Sequence, residues 1–111
     1  KRMEICTKEG LSVGLIDLFD FDPKHRRAGL GNVILQAHRG RQIGYYALLC
    51  LEQYAKVHLG LHQLYANILE ANKASLHLFE KCGFVQSGLK KDWIYHDGEY
   101  YNEYFYQKII R

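Results

Sequence analysis

Alternating apolar and polar positions predict strands in the first third of the chain. A short strand is expected from Met3 to Lys8 and a longer one from Leu11 to Asp22, with Glu9-Gly10 as the turn between them. Pro23 cannot donate to a sheet ladder, so it should end the second strand. A third strand is predicted from Ala28 to Leu35.

The pattern then changes from a period of two to the period of a helix. Leu48, Leu51 and Ala55 recur at helical spacing, which predicts an amphipathic helix from about Tyr45 to His58 that packs on a sheet. Alternation returns from His62 to Leu69. Strand, helix and strand in this length indicate a right-handed parallel crossover.

A second helix and two aromatic strands complete the pattern. The helix is expected to open near Asn72 and to stop at Gly83, a typical C-cap residue. Strands are predicted from Phe84 to Tyr95 and from Glu99 to Ile110, with a tight hairpin at His96-Asp97-Gly98 between them. The fold class is therefore α+β, with the order βββαβαββ and a mixed, mostly antiparallel sheet against which the helices pack.

Composition limits the possible partners. With 111 residues, 48% of them apolar, the chain should form one domain with a real core. A net charge of +3 fits an anionic ligand better than nucleic acid, which usually demands a denser basic face. The three cysteines, Cys6, Cys50 and Cys82, are odd in number and widely spaced. This spacing fits neither a disulfide framework nor a metal-binding motif, so we expect a cytoplasmic setting and no metal. No membrane association is expected, and a homo-oligomer is left open.

The stretch from Val33 to Tyr46, VILQAHRGRQIGYY, carries the first sign of chemistry. An apolar strand breaks there into a basic loop with glycines and then enters a helix. Unpaired amides and the helix dipole favour anions at such a helix start, and glycine lets a phosphate approach closely. Arg39, Gly40, Arg41 and Gly44 fit an anion site, although an ordinary surface turn would also explain them.

Two segments resemble the GNAT superfamily of acetyl-coenzyme A dependent N-acetyltransferases. HRGRQIGYYAL, from His38 to Leu48, is similar to the family's phosphate loop, and NKASLHLFEKCGF, from Asn72 to Phe84, is similar to its second cofactor motif. Two runs, from Gly14 to Gly29 and from His62 to Phe84, look most like the branch that holds spermidine acetyltransferases and ribosomal-protein alanine acetyltransferases. The resemblance covers nearly the whole chain.

The resemblance implies that acetyl-coenzyme A is the cosubstrate and that its pyrophosphate rests on backbone amides of the loop. The loop motif fits in two registers, one from Arg39 to Gly44 and one that starts at Arg41 and ends at Tyr46, each with one departure from the family pattern. The implied cofactor-binding residues are Val33, Ile34, Leu35, Arg39, Gly40, Arg41, Gln42, Ile43, Gly44, Tyr45, Asn72, Ser75 and Phe79.

Three of these positions have specific implied roles. The backbone from Val33 to Leu35 would pair with the pantetheine arm where the central strands split, which is strand addition by a ligand. The Asn72 side chain would contact the cofactor arm, and its structural alternative is an N-cap. Ser75 lies one turn further along the same helix face and could reach the coenzyme A side, or it is an ordinary helix serine.

The catalytic groups are harder to place because two family positions differ here. Phe79 stands where the family's tyrosine acid is expected, so Ser75, a nearby tyrosine or water would have to protonate the thiolate. The family's glutamate base would fall near Gly29 or Leu30. Candidates for an alternative base, acting through water, are Asp17, Asp20 and His25, although a strand acid is more often an ion-pair partner or part of a solvated edge.

The leading hypothesis is an N-acetyltransferase that acts on a primary amine, either a polyamine or a protein N-terminus. The alternative is a non-catalytic acyl-coenzyme A-binding or interaction domain with the same fold. The superfamily usually adds an initial strand and two helices that help to build the acceptor pocket. We therefore expect residues 1–111 to be one GNAT-like domain that corresponds to the C-terminal two-thirds of such an enzyme.

Overall fold

The computed structural model describes residues 2–6, 12–35 and 40–111. The elements follow one another as β1 Arg2–Cys6, β2 Ser12–Asp22, β3 Arg27–Leu35, α1 Gly40–Val57, β4 Gln63–Leu69, α2 Lys73–Lys81, β5 Val85–His96 and β6 Glu99–Ile109. The predicted order is confirmed. The predicted turn at Glu9-Gly10 and the end of the first predicted strand at Lys8 lie outside the described residues.

One six-stranded sheet has the order β1-β2-β3-β4-β6-β5. Strands β3 and β4 pair in parallel, as the crossover predicted, and the other neighbouring pairs are antiparallel. The expectation of a mixed, mostly antiparallel sheet is therefore confirmed.

Both helices pack on one face of this sheet, where the core lies. Alternate strand positions supply the sheet side, since inward residues repeat every two positions along a strand. The predicted helix face of Leu48, Leu51 and Ala55 is buried against it. The buried strand residues are Ile16, Leu18, Ala28, Leu30, Leu64, Ala66, Ile68 and Tyr106.

Helix α1 begins earlier than the sequence predicted. It starts at Gly40 rather than at Tyr45, so Gly40, Arg41, Gln42, Ile43 and Gly44 form its first turns and not the preceding loop. The apolar repeat that marks this helix begins only near Ala47, because glycine, arginine and glutamine make up most of its first turns. The helix start therefore could not be seen in the periodicity.

The opposite face of the sheet carries a row of aromatic rings. Phe19 meets Tyr65 edge to face with ring centroids 5.9 Å apart, and Tyr65 lies 5.5 Å from Phe105. Gly29 lies under the Phe19 ring, where an added Cβ would come within 2.5 Å of Phe19 Cζ. We call this side of the sheet the aromatic face.

The last two strands form the predicted hairpin, but it contains an irregularity. Asp97 and Gly98 both have positive φ, as a tight two-residue turn requires. Further along, the register shifts between Lys90 and Ile94. Within this bulge Asp92 has φ 49°, and its amide donates to Asn102 Oδ1 over 2.9 Å.

Candidate functional site

The two parallel strands at the centre of the sheet separate partway along their length. Strands β3 and β4 pair only from Arg27–Leu30 with Gln63–Ala66, while β3 continues to Leu35 and β4 to Leu69. On its other side β3 remains paired with β2 as far as Leu35. The splitting that the resemblance implied is thus present, and it leaves the edge of β3 beyond Leu30 facing a gap.

A cavity of about 260 Å³ occupies this gap, which we call the notch. Its lining combines strand ends with one helix face: Leu30, Gly31, Ala66, Asn67, Ile68, Leu69, Asn72, Ser75, Phe79 and Glu103. Three of these residues belong to the Asn72–Phe79 segment that the sequence singled out. The structure therefore brings the second predicted cofactor motif to the gap between the strands.

Residues of both faces of the sheet line the notch. Asn72, Ser75 and Phe79 line it from the helix side. Asn67 and Glu103 belong to the aromatic face, because Asn67 is directly opposite Phe105 and Glu103 is two positions before Phe105 on the same strand. A ligand on the helix side and another on the aromatic face could therefore meet inside the notch.

The start of α2 is fixed by Asn72. Its side-chain oxygen Oδ1 accepts a hydrogen bond from the Ser75 amide over 3.2 Å, which makes Asn72 the N-cap of the helix. Asn72 also lines the notch, and its side-chain nitrogen Nδ2 takes no part in the cap. The capping and cofactor interpretations of Asn72 are therefore compatible.

Ser75 and Phe79 lie one helical turn apart and both border the notch. Ser75 is half-buried, and its hydroxyl is the group on this wall that can give a proton. Phe79 is only 3% exposed and packs edge to face on Phe84 with ring centroids 4.9 Å apart. Phe79 is thus both a core residue and a wall of the notch.

The predicted anion site is only partly covered by the structure. Arg39 lies outside the described residues, while the backbone of Gly40–Ile43 forms the first turn of α1, where amides lack helical partners. This turn contains no acidic residue, which is compatible with an anionic ligand. Gly44 is buried, and it is not among the described glycines with positive φ.

The start of α1 lies beside the end of α2. Tyr45 is half-buried, and the Lys81 ammonium lies 4.9 Å from the centre of its ring. The Cys82 thiol is directed to the Tyr45 carbonyl oxygen at 3.8 Å, and burial raises the pKa of this thiol. The two predicted motif segments are therefore in contact at this end of the helix pair.

The candidate bases do not line the notch. Asp17 is half-buried and pairs in register with Gly31, which does line it. Asp20 is exposed and has φ 51°. Asp20 and Phe21 instead line two other cavities, of about 400 and 520 Å³.

His25, the third of these candidates, lies in the exposed turn between β2 and β3. Its amide donates to Asp22 Oδ1 over 2.9 Å, and this hydrogen bond is the main cause of the lowered pKa of the Asp22 carboxyl. His25 is also absent from the lining of the notch, so its described role is in the turn.

Sequence reasoning missed two polar residues of the notch, Asn67 and Glu103. Asn67 lies between two buried residues of β4, so its position on the aromatic face could have been inferred from the period of two, whereas both neighbours of Glu103 are half-buried and give no such signal. Their proximity depends on how β4 pairs with β6, which no local pattern specifies.

The acetyltransferase (GNAT) domain family model matches residues 2–85. This match covers most of the chain, and the chain therefore belongs to the GNAT acetyltransferase family. No helix in the described ranges 2–6, 12–35 and 40–111 has the length and apolar character needed to cross a membrane.

Among curated relatives, the spermidine N(1)-acetyltransferase of Vibrio cholerae is 28% identical over 88 residues, which cover 79% of this chain and 51% of that protein. The enzyme of the same name from Escherichia coli K12 is 27% identical over 92% of this chain and 55% of its own length. A putative ribosomal N-acetyltransferase of Bacillus subtilis is 27% identical over 93% and 56%. The chain thus spans about half the length of these relatives.

A crystal structure of spermidine N-acetyltransferase from Vibrio cholerae in complex with CoA and spermine superposes on 98% of this chain and 64% of that one, with a TM-score of 0.87 and 24% identity. At this level of identity the likeness establishes the GNAT fold. The relatives named here are thus two spermidine N(1)-acetyltransferases and one putative ribosomal N-acetyltransferase.

Proposed function

We propose that this chain is the acetyl-coenzyme A-binding part of an N-acetyltransferase whose acceptor is a primary amine. The observation that carries the proposal is the notch, where β3 and β4 part beside Asn72, Ser75 and Phe79. Family membership adds the class of reaction.

Three groups are suited to hold the cosubstrate, which supplies the activated acetyl group as a thioester. The free edge of β3 from Val33 to Leu35 can pair with the amides of the pantetheine arm. Asn72 can donate from its side-chain nitrogen. The first-turn amides of α1, from Gly40 to Ile43, are placed at a helix N-terminus that favours phosphate.

The reaction needs a neutral amine and a proton for the departing sulfur. The acceptor nitrogen bonds to the acetyl carbon, the bond from this carbon to sulfur breaks, and the nitrogen loses protons to become an amide. Phe79 cannot supply a proton to the thiolate. We assign this role to the Ser75 hydroxyl, which lies on the same wall of the notch and is restored by the second proton that the nitrogen releases.

A polyamine is the leading acceptor, since two relatives carry the name spermidine N(1)-acetyltransferase. A protein N-terminal amine is the second candidate because of the putative ribosomal N-acetyltransferase. We place this reaction in the cytoplasm, because the spacing of the three cysteines does not suggest the disulfide framework of a secreted protein.

Calorimetry with acetyl-coenzyme A, followed by an acetylation assay, tests the proposal. We expect a dissociation constant in the micromolar range or below and turnover with spermidine. A folded sample that binds no acetyl-coenzyme A would contradict both the function and the assigned notch. Binding without turnover across a panel of polyamines and N-terminal peptides would favour the non-catalytic alternative.

A further inference from the structure

The Glu103 carboxylate borders the notch from the aromatic face. On β6 it lies between Leu69 of β4 and Lys90 of β5, directly opposite each of them in the sheet. Its side chain is only 15% exposed. A carboxylate in such a position has lost most of its water, so an opposite charge nearby should interact with it strongly.

Among the described residues, Lys90 is the charged partner of this carboxylate, and the contact between them is long. Lys90 Nζ lies 3.7 Å from Glu103 Oε1, which is beyond hydrogen-bonding distance, whereas the same ammonium donates to Asn67 Oδ1 over 2.9 Å. The oxygens of Glu103 therefore retain capacity for another donor.

The surroundings of Lys90 show that this part of the aromatic face accommodates a primary ammonium. Its Nζ lies 5.1 Å from the centre of the Trp93 ring and 5.8 Å from that of Phe105. Ring faces attract cations, and the Asn67 oxygen adds a hydrogen bond. An ammonium from outside would meet the same oxygens and rings.

We infer that Glu103 binds the ammonium group of the acceptor where it enters the notch and so selects cationic primary amines. This inference rests on the proposed function. Lys90 competes with the acceptor for the carboxylate, because both present the same –NH₃⁺ group. Glu103 is thereby a specificity-determining residue, and the proton that the amine must lose before attack passes to solvent.

Two charge changes at this site should act in opposite directions. Glu103→Gln keeps the shape of the side chain but removes the charge, so it should weaken acceptor binding. Lys90→Met keeps an unbranched apolar stem but removes the competing ammonium, so it should strengthen acceptor binding. The chain offers matched controls in Glu99→Gln on the same strand and Lys91→Met beside Lys90, both exposed.

The experiment measures spermidine and acetyl-coenzyme A in separate calorimetric titrations of the wild type and the four variants. We expect spermidine affinity to fall at least about tenfold in Glu103→Gln, in line with the loss of a charge-assisted hydrogen bond, and to rise severalfold in Lys90→Met. The controls should stay within about twofold of the wild type, and acetyl-coenzyme A affinity should not change. Glu103→Asp, which keeps the charge, should retain more affinity than Glu103→Gln.

Several outcomes would overturn the inference. They are an unchanged spermidine affinity in Glu103→Gln, an equal loss in Glu103→Gln and Glu99→Gln, and a wild type that binds acetyl-coenzyme A but no spermidine. The separate titrations keep the two proposals apart. Spermidine binding that depends on Glu103, without acetyl-coenzyme A binding, would sustain the ammonium site and remove the proposed function.

Discussion

The Tyr106 hydroxyl donates a hydrogen bond to Glu80 Oε2 over 2.6 Å and thereby joins the last strand to the second helix. Tyr106 is 2% exposed, so its phenol is held in the core with one charged partner. Burial, followed by the nearby Glu80 carboxylate, raises the pKa of Tyr106 from its ordinary value of 10.0 to about 12.

This raised pKa predicts a loss of stability at alkaline pH. Between pH 10.0 and about 12 the unfolded chain releases the phenol proton while the folded chain retains it, so the free energy of unfolding falls as pH rises. Tyr106→Phe removes this contribution. Its free energy of unfolding should be lower by about 1–2 kcal/mol at neutral pH, and the difference from the wild type should shrink above pH 10.

Urea unfolding of both proteins from pH 7 to pH 11 measures this difference. Lysines titrate in the same range, but they are shared by the two proteins and cancel in the comparison. Parallel curves over the whole pH range would show that the Tyr106 phenol has an ordinary pKa.

The two roles of Asn72 can be separated by substitution. Asn72→Asp keeps an oxygen that accepts from the Ser75 amide and adds a charge that the helix dipole favours, so the domain should remain as stable as the wild type. The side-chain donor is lost, and acetyl-coenzyme A should bind at least severalfold more weakly. Thermal melting and calorimetry on the same sample measure both effects.

Asn72→Ala provides the contrast, because it removes cap and donor together. Its free energy of unfolding should fall by about 1 kcal/mol, alongside the weaker cofactor binding. If Asn72→Asp binds acetyl-coenzyme A as the wild type does, Asn72 is a cap alone.

Local patterns predicted the order of elements because each one carries its own period and its own end signal. Gly83 closes α2 at φ 92°, and Asp97-Gly98 closes the hairpin, both as expected. The first turns of α1 gave no such signal. Arg41 and Gln42 are polar, so the apolar repeat could not reveal that the helix already begins at Gly40.

The pairing of Lys90 with Glu103 shows what the sequence could not predict. If the register of the hairpin continued unchanged from the turn, Asp92 would lie opposite Glu103, and two carboxylates would face each other. The bulge between Lys90 and Ile94 shifts the register so that Lys90 lies there instead. The Asn102 side chain stabilises this bulge through the Asp92 amide, a contact that only the folded hairpin creates.

The close contact between Gly29 and Phe19 predicts a steric effect. An added Cβ at Gly29 would lie 2.5 Å from Phe19 Cζ, so Gly29→Ala must displace the ring from its edge-to-face contact with Tyr65. The free energy of unfolding should fall by about 1 kcal/mol, at the low end of the cost of overpacking, because the ring is 36% exposed and can move toward solvent. Gly88→Ala is the control, because its Cβ would meet Phe105 Cβ at an ordinary 3.5 Å.

A double-mutant cycle with Phe19→Ala tests the cause. Once the ring is gone, Gly29→Ala should cost much less than it does in the wild type. An equal cost in both backgrounds would mean that the backbone of β3, and not Phe19, excludes a side chain at position 29. The same contact explains why a glutamate base could not occupy this position without moving the ring.

The last prediction concerns Phe79, which borders the notch at the position where the family resemblance places a tyrosine. Phe79→Tyr adds a phenol, which is a stronger acid than the Ser75 hydroxyl and can protonate the departing thiolate more readily, so turnover should rise at least severalfold. Phe84→Tyr is the matched control, because Phe84 is equally buried and packs 4.9 Å from Phe79 but does not line the notch. The control should lose about 1–3 kcal/mol of stability through an unpaired buried hydroxyl and gain no rate. An unchanged rate and a lowered melting temperature in both variants would restrict Phe79 to the core.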